Sequence, residues 1–580
     1  MKASKLRAKA DTQTQAKAEP QPFRPAWWHY ALGFFLLLFI GFEVYQPALN
    51  GPFVFDDVYL PFMNPTYFNQ SFRMWASVRP LLMLSYWANY QNSGLEVEPY
   101  HLLNVLLHVF NSLLACVIVG RFLELVGEKS WRREVLAIFS GTLFLLHPIQ
   151  TESVAYVTSR SECLSVFFLL SALGVFLYRK QTTISIPETI AVLLLFGLAV
   201  STKEYAVVLP ALFLLTDFWF NPGFKFEGIK RNWKLYVPIA AGALLGGLAV
   251  LEVLRRSPSA GFQLKAFTWY QYLFTQFRSI CAYFRLYFLP AGQTVDHDFP
   301  VSHTILEQGA IGYLIVLLAL AAVAWKYRRE FPLASYGYFG TLLLLAPTSS
   351  VVPIQDVMVE HRLYLPFICL LLITVDFLRR WKIGIGSLAS VLSAVLALCA
   401  VLSFQRNQMW GNPTALWQDA VNKAPAKLRP RSQLAYWEKA SGQCAQASEQ
   451  YAAAATLEKE DSALLIDWAL ALDCAGKEDE ALTKLQKAAQ MDPNAHVYSQ
   501  IGMIYGKQSK IEQSLDALAT AEKLDARWEM TYVYRGNDYM ATGHPEQAIV
   551  EYRKALAIDP ANQGALDNMS AALRQLGQKR

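Results

Sequence analysis

The sequence contains few charged residues for its length. Asp, Glu, Lys and Arg make up only 17% of its 580 residues, whereas 54% are hydrophobic. This balance is too apolar for an ordinary soluble protein of this size and predicts membrane spans. The nine histidines and seven cysteines show no tight metal-ligand spacing, so nothing indicates structural zinc, and a divalent-metal requirement stays open.

A cleavage site for a signal peptide is also missing. Residues 1–26 carry six basic residues and two acidic ones, which is typical of a disordered cytoplasmic tail rather than of a nucleic-acid surface. The apolar run Trp27–Tyr45 follows, but Gln46-Pro47 stands where small residues would be needed for cleavage. We therefore interpret this run as an uncleaved first span.

Eleven apolar runs precede residue 405, and several are shorter than the roughly 20 residues of a full span. With a cytoplasmic N-terminus, eleven crossings place every basic loop cluster in the cytoplasm, as the positive-inside rule requires. This count holds only if the aromatic segment 269–289 does not cross, and its polar residues favour an interfacial or re-entrant helix. The runs are 27–45, 101–123, 135–147, 163–178, 188–202, 205–220, 236–254, 307–325, 334–351, 363–378 and 384–404.

The composition changes sharply after about residue 404, where the chain becomes rich in Ala, Glu and Lys. Gly411-Asn412-Pro413 follows, at a point where a helix leaving the membrane should stop. We therefore expect four parts. They are a basic tail (1–26), a membrane domain (27–405) with an external loop at 46–100, a linker with an imperfect helical start (406–441), and C-terminal repeats (442–580).

The C-terminal part repeats with a period of 34, 33 and 34 residues. The equivalent turn positions are Gly442, Gly476, Ser509 and Gly543, and small residues recur at two further positions of each repeat. Small residues let paired helices approach closely, and this period and pattern predict about four tetratricopeptide (TPR) repeats. Such an array is a binding surface, either for an acceptor polypeptide or for any peptide partner.

Two cysteines of the repeats flank consecutive turns. Cys444 follows one turn by two residues, and Cys474 precedes the next by two. Because the second helix of a repeat runs antiparallel to the first helix of the next, the two thiols should lie close together. The spacing leaves open a disulfide in an oxidising compartment or two buried thiols.

Two adjacent acids, Asp56 and Asp57, lie just beyond the first run. One carboxylate can take a proton while the other orients it or the substrate, so the pair is the candidate catalytic site. The alternative interpretation is a helix N-cap before Val58.

A polar stripe of His101, Asn104, His108 and Asn111 follows one face of the second run. Such a stripe faces the bundle or a cavity rather than lipid. For the deeper pair, interhelical hydrogen bonds and ligand contacts both stay open. His101, nearest the outer surface, is the better candidate for substrate binding, and Asn104 is a further candidate.

Further ionisable residues border the outer ends of other runs. A charged side chain near lipid costs free energy, so each of these residues is a functional candidate. Each could also be a paired or snorkelling charge. Together they would surround one outer cavity suited to a lipid-linked phosphate, with Arg362 and Lys203 neutralising the phosphate. The other candidates are Glu152, Arg160, Glu162, Glu204, Glu360 and His361.

The order of these motifs resembles that of the transmembrane and TPR-containing O-mannosyltransferases and their bacterial relatives. The resemblance implies an all-α membrane bundle of the GT-C glycosyltransferase class, a polyprenyl-phosphate sugar donor and a catalytic acidic motif in the first external loop. It also adds Arg79 to the substrate-binding candidates. The matching segments are Phe55-Asp56-Asp57, Arg79-Pro80-Leu81, residues 100–108, residues 147–152, Arg160-Ser161-Glu162, Lys203-Glu204 and residues 360–366, followed by the repeats.

The resemblance, together with the topology from the charges, implies an inverting glycosyltransferase of a bacterial inner membrane, with the repeats on the periplasmic side. It would move mannose or another hexose to Ser or Thr of a protein, with Asp56 as general base and Asp57 orienting the acceptor or balancing charge. The expected partners are the lipid-linked sugar donor, the acceptor polypeptide and membrane lipid, with no nucleic acid and no firmly implied cofactor. Two alternatives remain: a non-enzymatic membrane-anchored TPR scaffold, and an enzyme of the same fold that modifies a glycolipid or polysaccharide.

Overall fold

The computed structural model describes residues 27–578 except Pro65, Thr66, Asn69 and Pro258. The predicted basic tail, residues 1–26, lies outside the described residues. The regular secondary structure of the described residues is helical. Their extended segments form one isolated antiparallel bridge, between Ala260 and Ile354. An all-α fold, as predicted, is confirmed for this part of the chain.

The α-helices are numbered here in chain order. Short 3-10 turns connect several of them, among them Phe55–Tyr59, Glu204–Val208 and Glu360–Leu363. The helices are α1 Trp27–Tyr45, α2 Phe72–Trp75, α3 Pro80–Ser93, α4 Glu98–Leu125, α5 Trp131–Leu146, α6 Thr151–Ala155, α7 Arg160–Leu177, α8 Ile186–Val200, α9 Leu209–Phe220, α10 Glu227–Arg231, α11 Trp233–Arg256, α12 Trp269–Phe288, α13 Ala310–Lys326, α14 Pro332–Leu345, α15 Phe367–Leu378, α16 Ile385–Trp410, α17 Pro413–Lys423, α18 Leu428–Ala440, α19 Cys444–Ala454, α20 Ser462–Cys474, α21 Glu478–Met491, α22 Ala495–Lys507, α23 Ile511–Leu524, α24 Glu529–Ala541, α25 Pro545–Ile558 and α26 Gln563–Gln578.

Each of the eleven predicted apolar runs contains a helix. Among the described residues, six helical stretches are long and apolar enough to cross a membrane, and three shorter apolar helices accompany them. The count of eleven crossings therefore stays a prediction. The six stretches are Ala31–Ala48, Glu98–Leu125, Val157–Leu177, Trp233–Glu252, Glu307–Lys326 and Ile385–Trp410, and the shorter helices are Ile186–Val200, Pro332–Leu345 and Phe367–Leu378.

Helix α12, the aromatic segment whose crossing was in question, lies along the polar segment that precedes α15. The Tyr272 hydroxyl donates to the Thr348 carbonyl at 2.5 Å, and the Gln276 amide donates to the Val357 carbonyl at 2.9 Å. Further along the helix, the Tyr283 hydroxyl donates to the Val359 carbonyl at 3.0 Å. The polar side chains on this face of the helix are therefore buried against protein rather than lipid.

The polar stripe of α4 is buried in the membrane domain. His108 Nδ1 lies 2.8 Å from the Tyr364 hydroxyl oxygen, and the Asn111 side-chain amide donates to the Cys163 carbonyl at 2.8 Å. For this deeper pair the structure shows interhelical hydrogen bonds, which was one of the two alternatives. Buried polar groups need such partners because an unpaired one is costly in an apolar interior.

The C-terminal part is a stack of four helical hairpins, α18/α19, α20/α21, α22/α23 and α24/α25, followed by α26. The four predicted turn positions share a left-handed backbone, with φ of 80°, 75°, 59° and 79° at Gly442, Gly476, Ser509 and Gly543. Glycine is favoured there because a side chain makes this conformation unfavourable. Residues 406–441, expected as a linker with an imperfect helical start, hold the end of α16 and the two helices α17 and α18.

Cys444 and Cys474 form a disulfide, with their Cα atoms 5.6 Å apart. This decides between the two alternatives that the spacing left open. The other five cysteines are free, and each is buried or half-buried, as packing residues should be.

Candidate functional site

The acidic pair lies on the 3-10 turn Phe55–Tyr59, and its two members have different surroundings. Asp56 is exposed, whereas Asp57 is fully buried. The backbone N–H of Asp56 donates to the Tyr156 hydroxyl at 2.9 Å, which ties this turn to the segment between α6 and α7. Of the two adjacent acids, Asp56 is the one that lines the open cleft.

Asp57 holds the turn together from inside. Its carboxylate accepts from the Val54 backbone N–H at 3.1 Å, from the Thr158 backbone N–H at 2.7 Å and from the Thr158 hydroxyl at 2.5 Å. Burial raises the pKa of Asp57 to about 7, although these donors oppose the shift. Its contacts are those of a structural carboxyl, whereas the sequence predicted that it would orient the acceptor or balance charge.

Asp56 lines a cleft with about 90 Å³ of free volume. Glu152 and His361, from distant parts of the chain, lie in the same wall and are joined by a hydrogen bond of 2.6 Å between Oε1 and Nδ1. The cleft therefore combines a free carboxylate with a carboxylate–imidazole pair. Its lining is Phe55, Asp56, Glu152, Tyr156, Val295, Asp356, Val359, His361, Trp410 and Arg429.

A second, smaller cleft lies next to His361 along the chain, where Arg362 and Glu162 share one wall. The Lys203 ammonium forms an ion pair with Glu162, so both predicted phosphate ligands are close to Glu162. The Arg362 guanidinium donates to the Asp356 carbonyl at 2.6 Å and to the Tyr272 hydroxyl at 3.2 Å, without an ion pair to a carboxylate among the described residues. The Arg362 guanidinium thus lines this cleft with no carboxylate of the described residues paired to it, and an anionic ligand is the kind of group that would balance its charge.

Arg79 forms a bidentate ion pair with Glu204, which follows Lys203 in the chain. Arg79 Nε and Nη2 each donate to a different carboxylate oxygen of Glu204, both at 2.8 Å. This pair joins the external loop to the segment after α8, beside the Lys203–Glu162 pair. Neither residue lines the Asp56 cleft.

Three of the predicted site residues lie behind the acidic turn and do not reach the cleft. Arg160 is fully buried; it donates to Asn104 Oδ1 at 3.1 Å and to the Tyr100 carbonyl at 3.0 Å. Asn104 donates to the Val154 and Tyr156 carbonyls, both at 3.2 Å. His101 Nε2 lies 3.0 Å from the Gly51 carbonyl oxygen. These contacts support the loop that carries Asp56.

Glu360 is buried in a polar network rather than exposed to the cleft. Its carboxylate accepts from the Gln293 amide at 2.9 Å and the Thr294 backbone N–H at 2.8 Å, and lies 3.0 Å from His297 Nε2. Burial by itself would raise the pKa of Glu360, but His297 and Gln293 outweigh it and lower that pKa. Glu360 therefore fixes the 293–297 segment, which forms another wall of the site.

Sequence reasoning missed the residues that the C-terminal helices bring to the cleft. Arg429 at the start of α18 lines it, and Trp410 at the end of α16 lines it too. Residues 406–441 were expected to be a linker with an imperfect helical start, and their aromatic and basic side chains were not assigned to the site. The available signal was the density of Trp, Lys and Arg in this segment.

Over the part of the chain that the structure describes, no three His, Cys, Asp or Glu side chains are grouped so that they could hold a metal ion. The metal requirement stays open.

The chain is similar to proteins named protein O-mannosyl-transferases, and residues 530–562, which span α24 and α25, match the tetratricopeptide repeat family. It is 22% identical over 422 residues to protein O-mannosyl-transferase F38B6.6 of Caenorhabditis elegans, covering 68% of this chain and 58% of that protein. It is 31% identical over 199 residues to protein O-mannosyl-transferase TMTC3 of Homo sapiens, covering 31% of this chain and 21% of that protein. The chain thus spans less than two thirds of the length of these relatives.

Solved structures resemble this chain only at low TM-scores. The TPR protein YrrB gives a TM-score of 0.23 at 19% identity, covering 31% of this chain and 88% of that one. The APC/C hetero-tetramer Cut9-Hcn1 gives a TM-score of 0.26 at 13% identity, covering 86% of this chain and 97% of that chain. The sequence comparisons thus show that this chain is similar to the F38B6.6 and TMTC3 protein O-mannosyl-transferases and that it carries a tetratricopeptide repeat.

Proposed function

We propose that this chain is a membrane glycosyltransferase that moves a hexose from a polyprenyl-phosphate donor to a Ser or Thr hydroxyl of an extracytoplasmic protein. The observation that carries the proposal is the exposed Asp56 carboxylate in a cleft with the Glu152–His361 pair, beside a second cleft walled by Arg362 and Glu162. The similarity to protein O-mannosyl-transferases supports the reaction class.

The cleft with Asp56 activates the acceptor hydroxyl, and the cleft with Arg362 stabilises the leaving phosphate. Asp56 takes the proton from the acceptor hydroxyl as its oxygen attacks the anomeric carbon, and the bond from that carbon to the phosphate oxygen breaks. One displacement inverts the anomeric configuration. The phosphate leaves as an anion that needs no general acid, and Arg362 and Lys203 stabilise its charge. The Glu152–His361 pair orients the sugar hydroxyls.

The sidedness follows from the basic loop clusters. With a cytoplasmic N-terminus and eleven crossings, the acidic turn, the clefts and the TPR array all face the outer side. The packing of α12 along residues 348–362 supports a helix that stays on that side. The array would then present an acceptor polypeptide close to the site.

The decisive test is Asp56→Asn in the full chain, reconstituted in vesicles with a mannosyl-phosphoryl-polyprenol and an acceptor peptide rich in Ser and Thr. Transfer should fall about 10²–10⁴-fold, the usual contribution of a general base. Asp298→Asn is the matched control, because Asp298 is also exposed and lies nearby without lining the cleft. It should keep normal activity.

Intact-mass spectrometry of the acceptor measures the transfer, and the same preparation is checked for folding by its thermal unfolding midpoint. If a folded Asp56→Asn protein transferred sugar at the rate of the Asp298→Asn control, Asp56 would not be the base. Transfer to a glycolipid but never to peptide would favour an enzyme of the same fold with a lipid or polysaccharide acceptor. No transfer by the unmodified chain to any acceptor would favour a scaffold.

A further inference from the structure

The residue that precedes Asp56 has an unfavourable backbone conformation. Phe55 has φ of 51°, in the left-handed region that residues with a side chain rarely occupy. Such a conformation persists only where the surrounding structure enforces it, and it is enriched at functional sites. Because Phe55 and Asp56 are consecutive, whatever holds Phe55 also sets the direction of the Asp56 carboxylate.

Two aromatic rings hold the Phe55 side chain. Its ring centroid lies 4.5 Å from that of Trp417 and 5.5 Å from that of Tyr156. Tyr156 is also the residue whose hydroxyl accepts the Asp56 backbone N–H. Trp417 belongs to α17 (Pro413–Lys423), outside the predicted membrane domain, and is fully buried. The acidic turn is thus packed against a helix that leads into the repeats.

The Trp417 ring acts by packing rather than by hydrogen bonding. Its indole N–H is buried and has no hydrogen-bond partner among the described residues. It belongs to one apolar cluster with residues from the external loop and from the segment before α7. The cluster is Ala48, Val54, Ala155, Tyr156, Val295, Trp410, Leu416, Trp417, Ala420, Val421 and Leu434.

Ion pairs and close backbone contacts fasten this helical segment to the site. Arg429 bonds both oxygens of Asp296, at 2.6 and 2.7 Å, and one oxygen of Asp356 at 2.8 Å. Burial by itself would raise the pKa of Asp296, but Arg429 and Lys427 outweigh it and lower that pKa. At the base of the loop, a Cβ on Gly411 would lie only 2.2 Å from the Pro47 carbonyl oxygen, so the two segments touch through backbone.

We propose that Trp417 is a positioning residue for Asp56, and that α17 belongs to the catalytic unit, with α18 joining it to the acceptor-binding array. This inference rests on the proposed function. Loss of the Trp417 ring frees Phe55 and lets the Asp56 carboxylate move away from the acceptor hydroxyl. A displacement of about 1 Å can cost about 100-fold in rate. The loss falls on kcat, because Trp417 does not line either substrate cleft.

The test uses the full chain with Trp417→Ala, Trp417→Phe, Phe55→Ala and the double variant Phe55→Ala/Trp417→Ala. Trp417→Ala should lower kcat about 10–100-fold with the KM for the donor within about twofold, and Trp417→Phe should restore most of the rate. Because both side chains act through one contact, the double variant should be no slower than the slower single variant. Trp219→Ala in α9 is the control, since Trp219 is buried like Trp417 but lies outside the array and lines neither cleft.

Additive losses in the double variant, or an unchanged kcat in a folded Trp417→Ala protein, would overturn the inference. So would a raised KM at unchanged kcat. If Trp417→Ala does not fold, Trp417→Leu keeps most of the volume without the aromatic ring, and the same outcomes apply to it. The unmodified chain and Asp56→Asn are measured in the same experiment; if they differ as expected while the Trp417 variants keep full kcat, only this inference fails.

Discussion

The membrane domain and the TPR array place their charged residues in different ways. In the array several ion pairs lie at the surface; the side chains of Lys477 and Glu480, for example, are 55% and 61% exposed. In the membrane domain Arg160 and Asp57 are fully buried, and their partners come from other helices or loops. A surface pair contributes little to stability, whereas a buried polar group depends on every one of its partners. The same substitution should therefore have unequal effects in the two regions.

The largest contrast is expected between two arginines. Arg160→Met should reduce the free energy of unfolding by about 3–5 kcal/mol, because it leaves Asn104 Oδ1 unpaired and removes the stacking of the guanidinium on Tyr86, 4.5 Å away. Arg553→Met, at an exposed position of α25, should change it by less than about 0.5 kcal/mol. Thermal unfolding in detergent measures both, and equal shifts would refute the contrast.

A second contrast concerns pH. The pKa of Asp57 is about 7 in the folded protein against an ordinary 3.8, so folding favours the protonated carboxyl. Its contribution is complete below pH about 4 and is lost as pH rises through 7, a total of about 4 kcal/mol at most. The stability of the unmodified chain relative to Asp57→Asn should therefore fall from pH 5 to pH 8.

The matched substitution in the array is Asp516→Asn, at an exposed position of α23. Relative to this variant, the stability of the unmodified chain should show no such trend with pH. A difference from Asp57→Asn that stays constant between pH 5 and pH 8 would contradict the protonated state of Asp57.

The disulfide should be the main covalent contribution to the array. Cys444 and Cys474 are 30 residues apart in sequence, and closing a loop of that size contributes about 3–4 kcal/mol in the chain-entropy description. Cys444→Ala/Cys474→Ala should lower the unfolding midpoint of the array without affecting the sugar transfer proposed for the membrane domain. Reductant should lower the midpoint of the unmodified chain equally and leave the variant unchanged; no effect of reductant would mean that the thiols are free.

The smallest effect is expected at the turns of the array. Ser509 occupies the left-handed position that glycine holds in the other three hairpins, with φ of 59°. Ser509→Gly should stabilise the array by up to about 1 kcal/mol, and Gly476→Ser should destabilise it by about the same amount. Denaturant titration measures both, and a loss of stability in Ser509→Gly would show that the serine side chain compensates for the strain.

The array was largely predictable because its structure is local. The turn residues recur at a fixed period, and the hydrogen bonds that close each turn join residues within five positions of one another, as from Lys510 N–H to the Tyr505 carbonyl. The proximity of Cys444 and Cys474 followed from the same repeat geometry. Because such a pattern depends on residues that are close in sequence, it can be predicted without knowing how the rest of the chain folds.

The candidate site was only partly predictable. Hydropathy and charge indicated that Asp56, Glu152 and His361 belong to outer segments, and the structure brings these three into one cleft. The same reasoning did not separate Asp56 from its buried neighbour Asp57. Nor did it distinguish the cleft-lining acids from Glu360, which fixes a loop.

By itself the sequence determined the class of the protein: an apolar helical domain, a sharp change in composition near residue 405, and four repeats with their turns. These features depend on composition and on spacing along the chain, which are independent of how distant segments pack. Only the tertiary structure decided which acid is exposed, that Arg362 has no carboxylate partner among the described residues, that Trp417 packs on the acidic turn and that Arg429 lines the cleft. Burial and partner choice depend on contacts between residues hundreds of positions apart, and no local pattern records them.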